Sequence, residues 1–202
     1  MPDFSHEQQF TGPVAGIDEA GRGPWAGPVV AAAVILDPDK IPSGLNDSKK
    51  LTAKRREALF NEVMACADVG IAEASVEEID TLNILQATFL AMHRAVENLT
   101  ETPAHLLIDG NQKPKIDIPT TTIVKGDSLS LSIAAASIIA KVFRDRIMAD
   151  LAKSFPDYGW ETNAGYGTAA HREGLDMVGV SPHHRKSYAP IARLMTQESD
   201  VS

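Results

Sequence analysis

Four acidic residues stand where short apolar runs end: Asp18 and Glu19 after residues 14–17, Asp109 after residues 105–108, and Asp127 two residues beyond 121–125. Neighbouring strands lie about 4.8 Å apart, so acids at the same end of adjacent strands can converge within metal-bridging distance. Like charges about 4 Å apart repel by on the order of 4 kcal/mol at an effective dielectric of 20, and a convergent set therefore calls for a cation. Carboxylate oxygens are hard ligands that suit Mg2+ or Mn2+ better than zinc. Two such ions about 3.5–4 Å apart can activate water and stabilise the leaving oxygen of a phosphodiester. A strand-end aspartate serves equally well as a turn former or helix cap, as Asp37, Asp39, Asp47 and Asp117 near proline or asparagine illustrate. The pattern alone leaves both readings open.

The elements that must position these acids follow from periodicity. Residues 14–18 read as a strand, the Gly/Pro-rich stretch 21–28 interrupts it, and the apolar run 29–36 resumes as a second strand, which predicts an antiparallel pair with the acids near one end. Thr52 is placed to cap a helix over 53–65 with Leu59, Phe60 and Val63 on its apolar face. A strand is expected over 69–75 and helices over 76–82 and 85–99, the latter with Leu85, Phe89, Met92 and Val96 three and four apart. Two more strands, 105–108 and 121–125, flank the turn-rich 110–119. A long helix from 130 to about 152 is apolar on all sides in its first half, the mark of a buried helix. An irregular stretch, 154–167, and helices over 169–177 and 190–195 complete the chain. This order predicts a mixed α/β sheet flanked by helices, with residues 1–152 as the core and 153–202 as a C-terminal helical segment of the same structural unit.

Composition narrows the class. At 202 residues the chain supports one substantial core, and 44% hydrophobic with 23% charged residues excludes a disordered or fibrous protein. The first twelve residues lack a secretion leader, and the longest apolar runs, 29–36 and 133–140, fall short of a membrane span, so a cytoplasmic location is expected. Cys66 is the only cysteine, which excludes an intramolecular disulfide and a cysteine-built zinc cage; it is expected to be a small buried hydrophobe. The net charge of −8 means that any affinity for nucleic acid must come from local basic clusters and bound cations.

Local clusters exist. Asn46, Ser48, Lys49 and Lys50 form a polar, basic loop just before a helix, suited to phosphates, with a solvated charge run as the alternative. Ser137 and Lys141, four apart on the buried helix, either face a substrate groove or only support the active site, and Asp145 between Arg144 and Arg146 is expected to be structural. His184 and Arg185 are candidates to touch nucleic acid, whereas His183 and His184 make a poor metal pair beside so many acids. The stretch Gly21 to Ala26 loosely fits a dinucleotide-binding glycine pattern, but that pattern must open a helix, and here Pro24 and a strand follow.

Read together, the pieces Gly16-Ile-Asp-Glu-Ala-Gly-Arg-Gly-Pro24, Leu45-Asn-Asp-Ser-Lys-Lys-Leu51, Ile108-Asp-Gly110, Lys125-Gly-Asp127, Ile133-Ala-Ala-Ala-Ser-Ile-Ile-Ala-Lys-Val142, Arg144-Asp145, Gly165-Tyr166 and His184-Arg-Lys-Ser187 run in one order over nearly the whole chain. In that order they closely resemble the bacterial type 2 ribonuclease H family, ribonuclease HII. The resemblance implies an RNase H-like fold with a five-stranded mixed sheet, and a C-terminal helical segment that completes the substrate groove. It implies that Asp18, Glu19, Asp109 and Asp127 bind two Mn2+ or Mg2+ ions. It further implies cleavage of the RNA strand of RNA/DNA hybrids and cutting 5′ of single ribonucleotides in duplex DNA, as in ribonucleotide excision repair and RNA primer removal, leaving 3′-hydroxyl and 5′-phosphate ends.

By the same resemblance, Gly21-Arg22-Gly23 contacts the RNA–DNA junction through its backbone and reads the 2′-hydroxyl, Tyr166 packs on the deoxyribose after the junction, and the Asp47-Ser48-Lys49 segment lines the groove. Glycines suit that task because main-chain groups without side chains can approach a sugar closely. The substrates are the partners expected, with no membrane and no obligatory protein partner, and a monomer is the default state. The rivals are ribonuclease HIII, which shares the acids but not Gly21-Arg22-Gly23; a hybrid-binding module without activity; and an RNase H-like transposase or resolvase with no need to read a 2′-hydroxyl. The polar tail 197–202 carries no clear clamp-binding motif.

Overall fold

In the computed structural model, which describes the backbone of residues 1–199 and side-chain surroundings through residue 196, five strands form one mixed sheet. The strands are β1 (Val14–Ala20), β2 (Val29–Ile35), β3 (Asp68–Ala74), β4 (His105–Asp109) and β5 (Thr120–Ile123), in the spatial order β3-β2-β1-β4-β5. β1 runs antiparallel to β2 and β2 to β3, whereas β1, β4 and β5 are mutually parallel. The expected tail 197–202 lies outside the residues whose side chains are described.

Alternation along the strands builds two cores, one on each face of the sheet. On one face Ala15, Ile17, Val29, Ala31 and Ala33 meet Ala87, Ala91, Met92 and Ala95 of a helix over Ile84–Glu97. On the other, Val30, Ala32 and Val34 meet Leu59, Phe60 and Val63 of a helix over Ala53–Cys66 and the run Ala134–Ala140 of the long helix Leu131–Ser154. In chain order the helices are α1 (Ala53–Cys66), α2 (Val76–Leu82), α3 (Ile84–Glu97), α4 (Leu131–Ser154), α5 (Trp160–Asn163), α6 (Ala169–Val178) and α7 (Ala189–Ser199). Because β2 is covered on both sides, all seven of its residues are buried, which is why its sequence reads as an uninterrupted apolar run.

Local signals place the ends. The Thr52 hydroxyl accepts from the Arg55 N–H at 3.2 Å and starts α1, as expected. Ser130 accepts from the Ile133 N–H and starts α4, while Ser75 and Glu78 form a reciprocal capping box at α2. Three expectations are corrected. β5 stops at Ile123 rather than 125, because Lys125 adopts a left-handed conformation (φ 59°) that turns the chain out of the sheet. The stretch 154–167 is not wholly irregular, since it holds a one-turn 3-10 helix, Pro156–Tyr158, and α5. Cys66 is half-buried rather than enclosed. Among the described residues no helix is long and apolar enough to cross a membrane.

The last helices are stitched onto the end of α4 and onto the loop after β1. Trp160, Tyr158, Leu175 and Ile191 pack with Ala26, Met148 and Ala152 in a third apolar cluster. Gly16 marks the closest approach between sheet and helix: a Cβ there would stand 2.1 Å from the backbone carbon of Ser132 and 2.3 Å from the nitrogen of Ile133. Backbone cannot swing aside as a long side chain can. Gly16→Ala should therefore destabilise the fold by about 1–3 kcal/mol or more, the usual range for overpacking. Urea unfolding of the variant checks this, and a midpoint equal to that of the parent protein would show that α4 can retreat from β1.

Candidate active site

β1 and β4 run side by side in the same direction, with Ile17 opposite Ile108, so Asp18 and Asp109 emerge at the same sheet end. β5 delivers the chain to that end as well. Its left-handed turn at Lys125 opens a one-turn helix, Gly126–Ser128, that carries Asp127 back toward the pair. Asp109 Oδ1 accepts from the Gly126 N–H at 2.7 Å, tying the two acidic segments together. Oxygen atoms of Asp18, Asp109 and Asp127 all lie within 4.8 Å of one another.

Three of the four expected acids thus form one cluster, and Glu19 stands beside it. Successive strand residues leave from opposite faces, so Asp18 starts on the α4 side and Glu19 on the other. The Glu19 carboxylate meets the Arg22 guanidinium at 3.3 Å and borders an open cleft of ≈ 340 Å³ that Ser48, Lys49 and Ser137 also line. Burial raises the Asp18 carboxyl well above the usual carboxylate range, with the charges of Glu19 and Asp109 adding to the effect. Burial, Asp109 and Asp47 likewise raise Asp127. Burial raises Glu19 too, against the opposing pull of Arg22.

The opposing charge comes from the loop 45–51. Asp47 caps a one-turn helix, Ser48–Lys50, by accepting from the Lys49 N–H at 3.0 Å, while Arg56 holds the carbonyls of Ser48 (3.0 Å) and Leu51 (2.6 Å). Lys49 loses some proton affinity to burial, yet Asp18, Asp127, Asp47 and Asp109 together keep its ammonium above its ordinary value. Lys50 donates to the Ser128 hydroxyl at 2.9 Å, linking this loop to the Asp127 turn. The Ser48 and Ser137 hydroxyls pair at 2.9 Å, and the Ser137 hydroxyl near Asp18 lowers the pKa of that carboxyl and opposes the burial effect. Asn46 is further back, its side chain accepting from the Asp47 N–H. Lys141 lines the cleft and pairs with Asp145 at 2.8 Å.

Gly21, Arg22, Gly23 and Tyr166 form the far wall. Gly21 has φ +98° and a Cβ there would stand 2.0 Å from Arg144 Nε, so this position needs glycine, while a Cβ on Gly23 would sit 3.3 Å from the Tyr166 ring, a tight approach. The loop is held from behind by two buried guanidiniums. Arg144 donates to the carbonyls of Ala26 (3.1 Å), Pro28 (2.9 Å) and Ala164 (3.0 Å). Arg185 donates to those of Gly21 (2.5 Å), Arg22 (3.0 Å), Gly27 (2.8 Å) and Pro28 (3.2 Å). Burial, and then the charge of Arg185, lower Arg144 to about 10.

This corrects the expectation that His184 and Arg185 touch nucleic acid. Both are fully buried, Arg185 on the loop carbonyls and His184 against Ser181 and His171. Arg144 and His171 were not foreseen at all. An arginine within an amphipathic helical turn carries no sign that its guanidinium turns inward, because two of its three carbonyl partners, those of Ala26 and Pro28, lie more than a hundred residues away in sequence.

A sheet of this topology with strand-end carboxylates defines the RNase H-like class of hydrolases. The fold matches the crystal structure of ribonuclease H2 from Pyrococcus horikoshii OT3 with a TM-score of 0.77 and 27% identity over 92% of this chain and 98% of that one. It matches the RNase HII of Archaeoglobus fulgidus, solved as a PCNA:RNase HII complex, with a TM-score of 0.75 and 29% identity over 87% and 95%. A more distant Bst-RNase HIII, 18% identical with a TM-score of 0.74 over 96% of this chain and 72% of that one, shares the fold. The family model for ribonuclease HII matches residues 15–191, and the ribonuclease HII of Jannaschia sp. (strain CCS1) is 60% identical over 96% of this chain and 98% of its own length. That of Paracoccus denitrificans (strain Pd 1222) is 57% identical over 100% and 98%. The chain belongs to the ribonuclease HII family, and with it to the type 2 ribonucleases H.

Because the folded-state pKa of Asp18 lies above its unfolded value, ionising Asp18 opposes folding. That contribution to stability is present below the unfolded carboxylate range and is lost as pH rises through the raised value. In chelator-treated protein, Asp18→Asn should raise the unfolding midpoint at pH 8 by relieving repulsion of roughly 3 kcal/mol per close pair, and by clearly less at pH 5. Denaturant titrations at the two pH values check this; equal shifts at both would mean that Asp18 is not strained by its neighbours.

Proposed function

We propose that this chain hydrolyses the RNA strand of RNA/DNA hybrids and cuts 5′ of single ribonucleotides in duplex DNA, leaving 3′-hydroxyl and 5′-phosphate ends. The observation that carries this reading is the convergence of Asp18, Asp109 and Asp127 within 4.8 Å. Three buried or half-buried carboxylates at that spacing are an all-oxygen donor set that fits a hard divalent cation and repels itself without one. Asp18, Asp109 and Asp127, with Glu19 beside them, would hold two Mg2+ or Mn2+ ions. Such ions supply an activated water and neutralise charge on the leaving oxygen.

The protein's own groups orient the strand. Lys49 and Lys50 meet phosphates at the mouth of the cleft, and the Ser48–Ser137 pair keeps Asp18 turned toward the scissile position. Gly21, Arg22 and Gly23 present main-chain groups to the 2′-hydroxyl. Tyr166, half-exposed against Gly23, packs on the sugar that follows. Reading a 2′-hydroxyl requires polar groups at fixed positions, which the arginine-held loop provides and which a hydrolase of plain DNA would not need. Its place would be the removal of ribonucleotides and RNA primers from DNA in the cytoplasm. The Archaeoglobus relative was solved with PCNA, so a sliding clamp is the protein partner to test against a monomer.

Incubation of the purified protein with Mg2+ or Mn2+ and a DNA duplex bearing one ribonucleotide should give a single cut 5′ to it; an intact duplex would remove this reading. Asp109→Asn should lower cleavage on the order of a thousandfold, equivalent to about 4 kcal/mol, while binding of a labelled hybrid in a gel-shift assay persists. Loss of binding together with cleavage would make Asp109 structural. Tyr166→Ala should lower kcat/KM on the single-ribonucleotide duplex on the order of tenfold more than on a long hybrid. Equal losses would refute its role at the junction.

A further inference from the structure

Tyr166 owes its position to something other than packing. The residue is 49% exposed, so the placement of its main chain decides where the ring points. The Tyr166 N–H donates to the Asn163 carbonyl at 2.9 Å, and the Tyr166 carbonyl accepts from the Thr168 N–H at 2.8 Å and from His171 Nδ1 at 3.0 Å. His171 is fully buried and leads to a second fully buried histidine, His184, with Nε2 of one 2.9 Å from Nε2 of the other.

The hydrogen-bond inventory fixes every proton in this chain. A carbonyl oxygen only accepts, so His171 Nδ1 must carry a hydrogen. The Trp160 indole N–H only donates and lies 3.2 Å from His171 Nε2, so that nitrogen must accept. His184 Nε2, facing the same acceptor, must then carry a hydrogen. His184 Nδ1 in turn accepts from the Ser181 N–H at 3.0 Å and from the Ser181 hydroxyl at 2.9 Å. A second proton on either ring would be driven against an N–H donor. Burial acts in the same direction, lowering the pKa of His171 and taking that of His184 down to about 4.

We propose that His171 and His184 are positioning residues for ribonucleotide selection: a neutral imidazole pair, locked in opposite tautomers, that transmits the Ser181 anchor to the Tyr166 main chain and so sets the Tyr166 ring against Gly23. This rests on the reading of Tyr166 as the junction residue. The pair also sits where the C-terminal segment joins the loop 21–28, since Ala26 bridges to His184 and the Arg185 N–H donates to the Trp25 carbonyl at 2.8 Å. One hydrogen-bonded chain therefore registers both walls of the recognition site to each other. Each buried polar atom in it has a partner, which makes the arrangement rigid rather than merely filled.

Two measurements test this on the full chain. Two-bond 15N–1H spectra of protein labelled at histidine nitrogen, assigned with the variants below, should show His171 protonated at Nδ1 and His184 at Nε2. The reverse assignment, or a charged ring at neutral pH, would overturn the proposal. Kinetically, His171→Leu should shift the ratio of kcat/KM on the single-ribonucleotide duplex to that on a long hybrid on the order of tenfold toward the hybrid. His171→Asn, which keeps an N–H directed at the Tyr166 carbonyl, should restore most of that ratio. Should the leucine variant fail to fold, the asparagine variant and His184→Gln carry the comparison. In a Tyr166→Ala background the His171 variants should move the ratio no further. A further, additive shift there, or equal losses on both substrates, would make the pair merely structural. If Tyr166→Ala itself leaves the ratio unmoved, the reading of Tyr166 falls and the selectivity role falls with it. If Tyr166→Ala moves the ratio and no histidine variant does, the role of the pair alone is refuted.

Discussion

Crowding of three carboxylates at one sheet end is the constraint on which the rest of the structure depends. Asp18, Asp109 and Asp127 lie within 4.8 Å, and two of them are nearly fully buried. Such a cluster opposes folding, so the surrounding scaffold must be stiff enough to hold it before any cation arrives. Stiffness comes from the parallel β1–β4 pair, from the bond between the Gly126 N–H and Asp109, and from α4 pressed onto β1 through Gly16. Stability is thus surrendered at the site and recovered in the two alanine-rich cores beneath it, a common arrangement where polar chemistry must be held ready.

The second organising feature is a pair of buried arginines that, among the described residues, form no salt bridge with a carboxylate. Arg144 and Arg185 spend their donors on main-chain carbonyls of the loop 21–28, and Arg144 also reaches Ala164. Charge-assisted bonds of this type are stronger than neutral ones, and the planar guanidinium fork holds several carbonyls in one orientation. A glycine-rich loop would otherwise sample many conformations. The arginines remove that freedom while leaving the outward face of the loop bare of side chains. They also place two positive charges beneath the cleft wall, which helps an acidic protein accept a polyanion.

The net charge of −8 is therefore a poor guide to the local field. Lys49, Lys141 and Arg144 line the cleft, Arg185 holds its glycine loop from behind, and the acid cluster at the neighbouring sheet end has a donor chemistry that suits divalent cations. Distribution, not total, decides whether a phosphate backbone is attracted.

Much of the fold was legible in the chain. The period of apolar residues marked β1 through β4 and α1, α3 and α4 to within a few residues, and Thr52 announced the start of α1. These are signals between residues close in sequence, where side-chain chemistry and backbone preference agree. The end of β5 was missed because the left-handed turn at Lys125 is imposed by the packing of the Asp127 segment rather than by a glycine or asparagine. For the site, strand-end acids and their affinity for hard cations could be inferred from residue type and spacing, and the ordered motifs indicated the family. Which acids touch could not. Strand alternation and the parallel pairing of β1 with β4 gather Asp18, Asp109 and Asp127 and set Glu19 beside them. Nor could the chain tell an exposed basic residue from a buried one: His184 and Arg185 read as nucleic-acid contacts, yet their partners lie in the loop after β1 and on α6. By itself the sequence determined the elements, the donor chemistry and the kinship of this protein. Tertiary structure alone decided convergence and burial, because both depend on contacts between segments that only the folded sheet brings together.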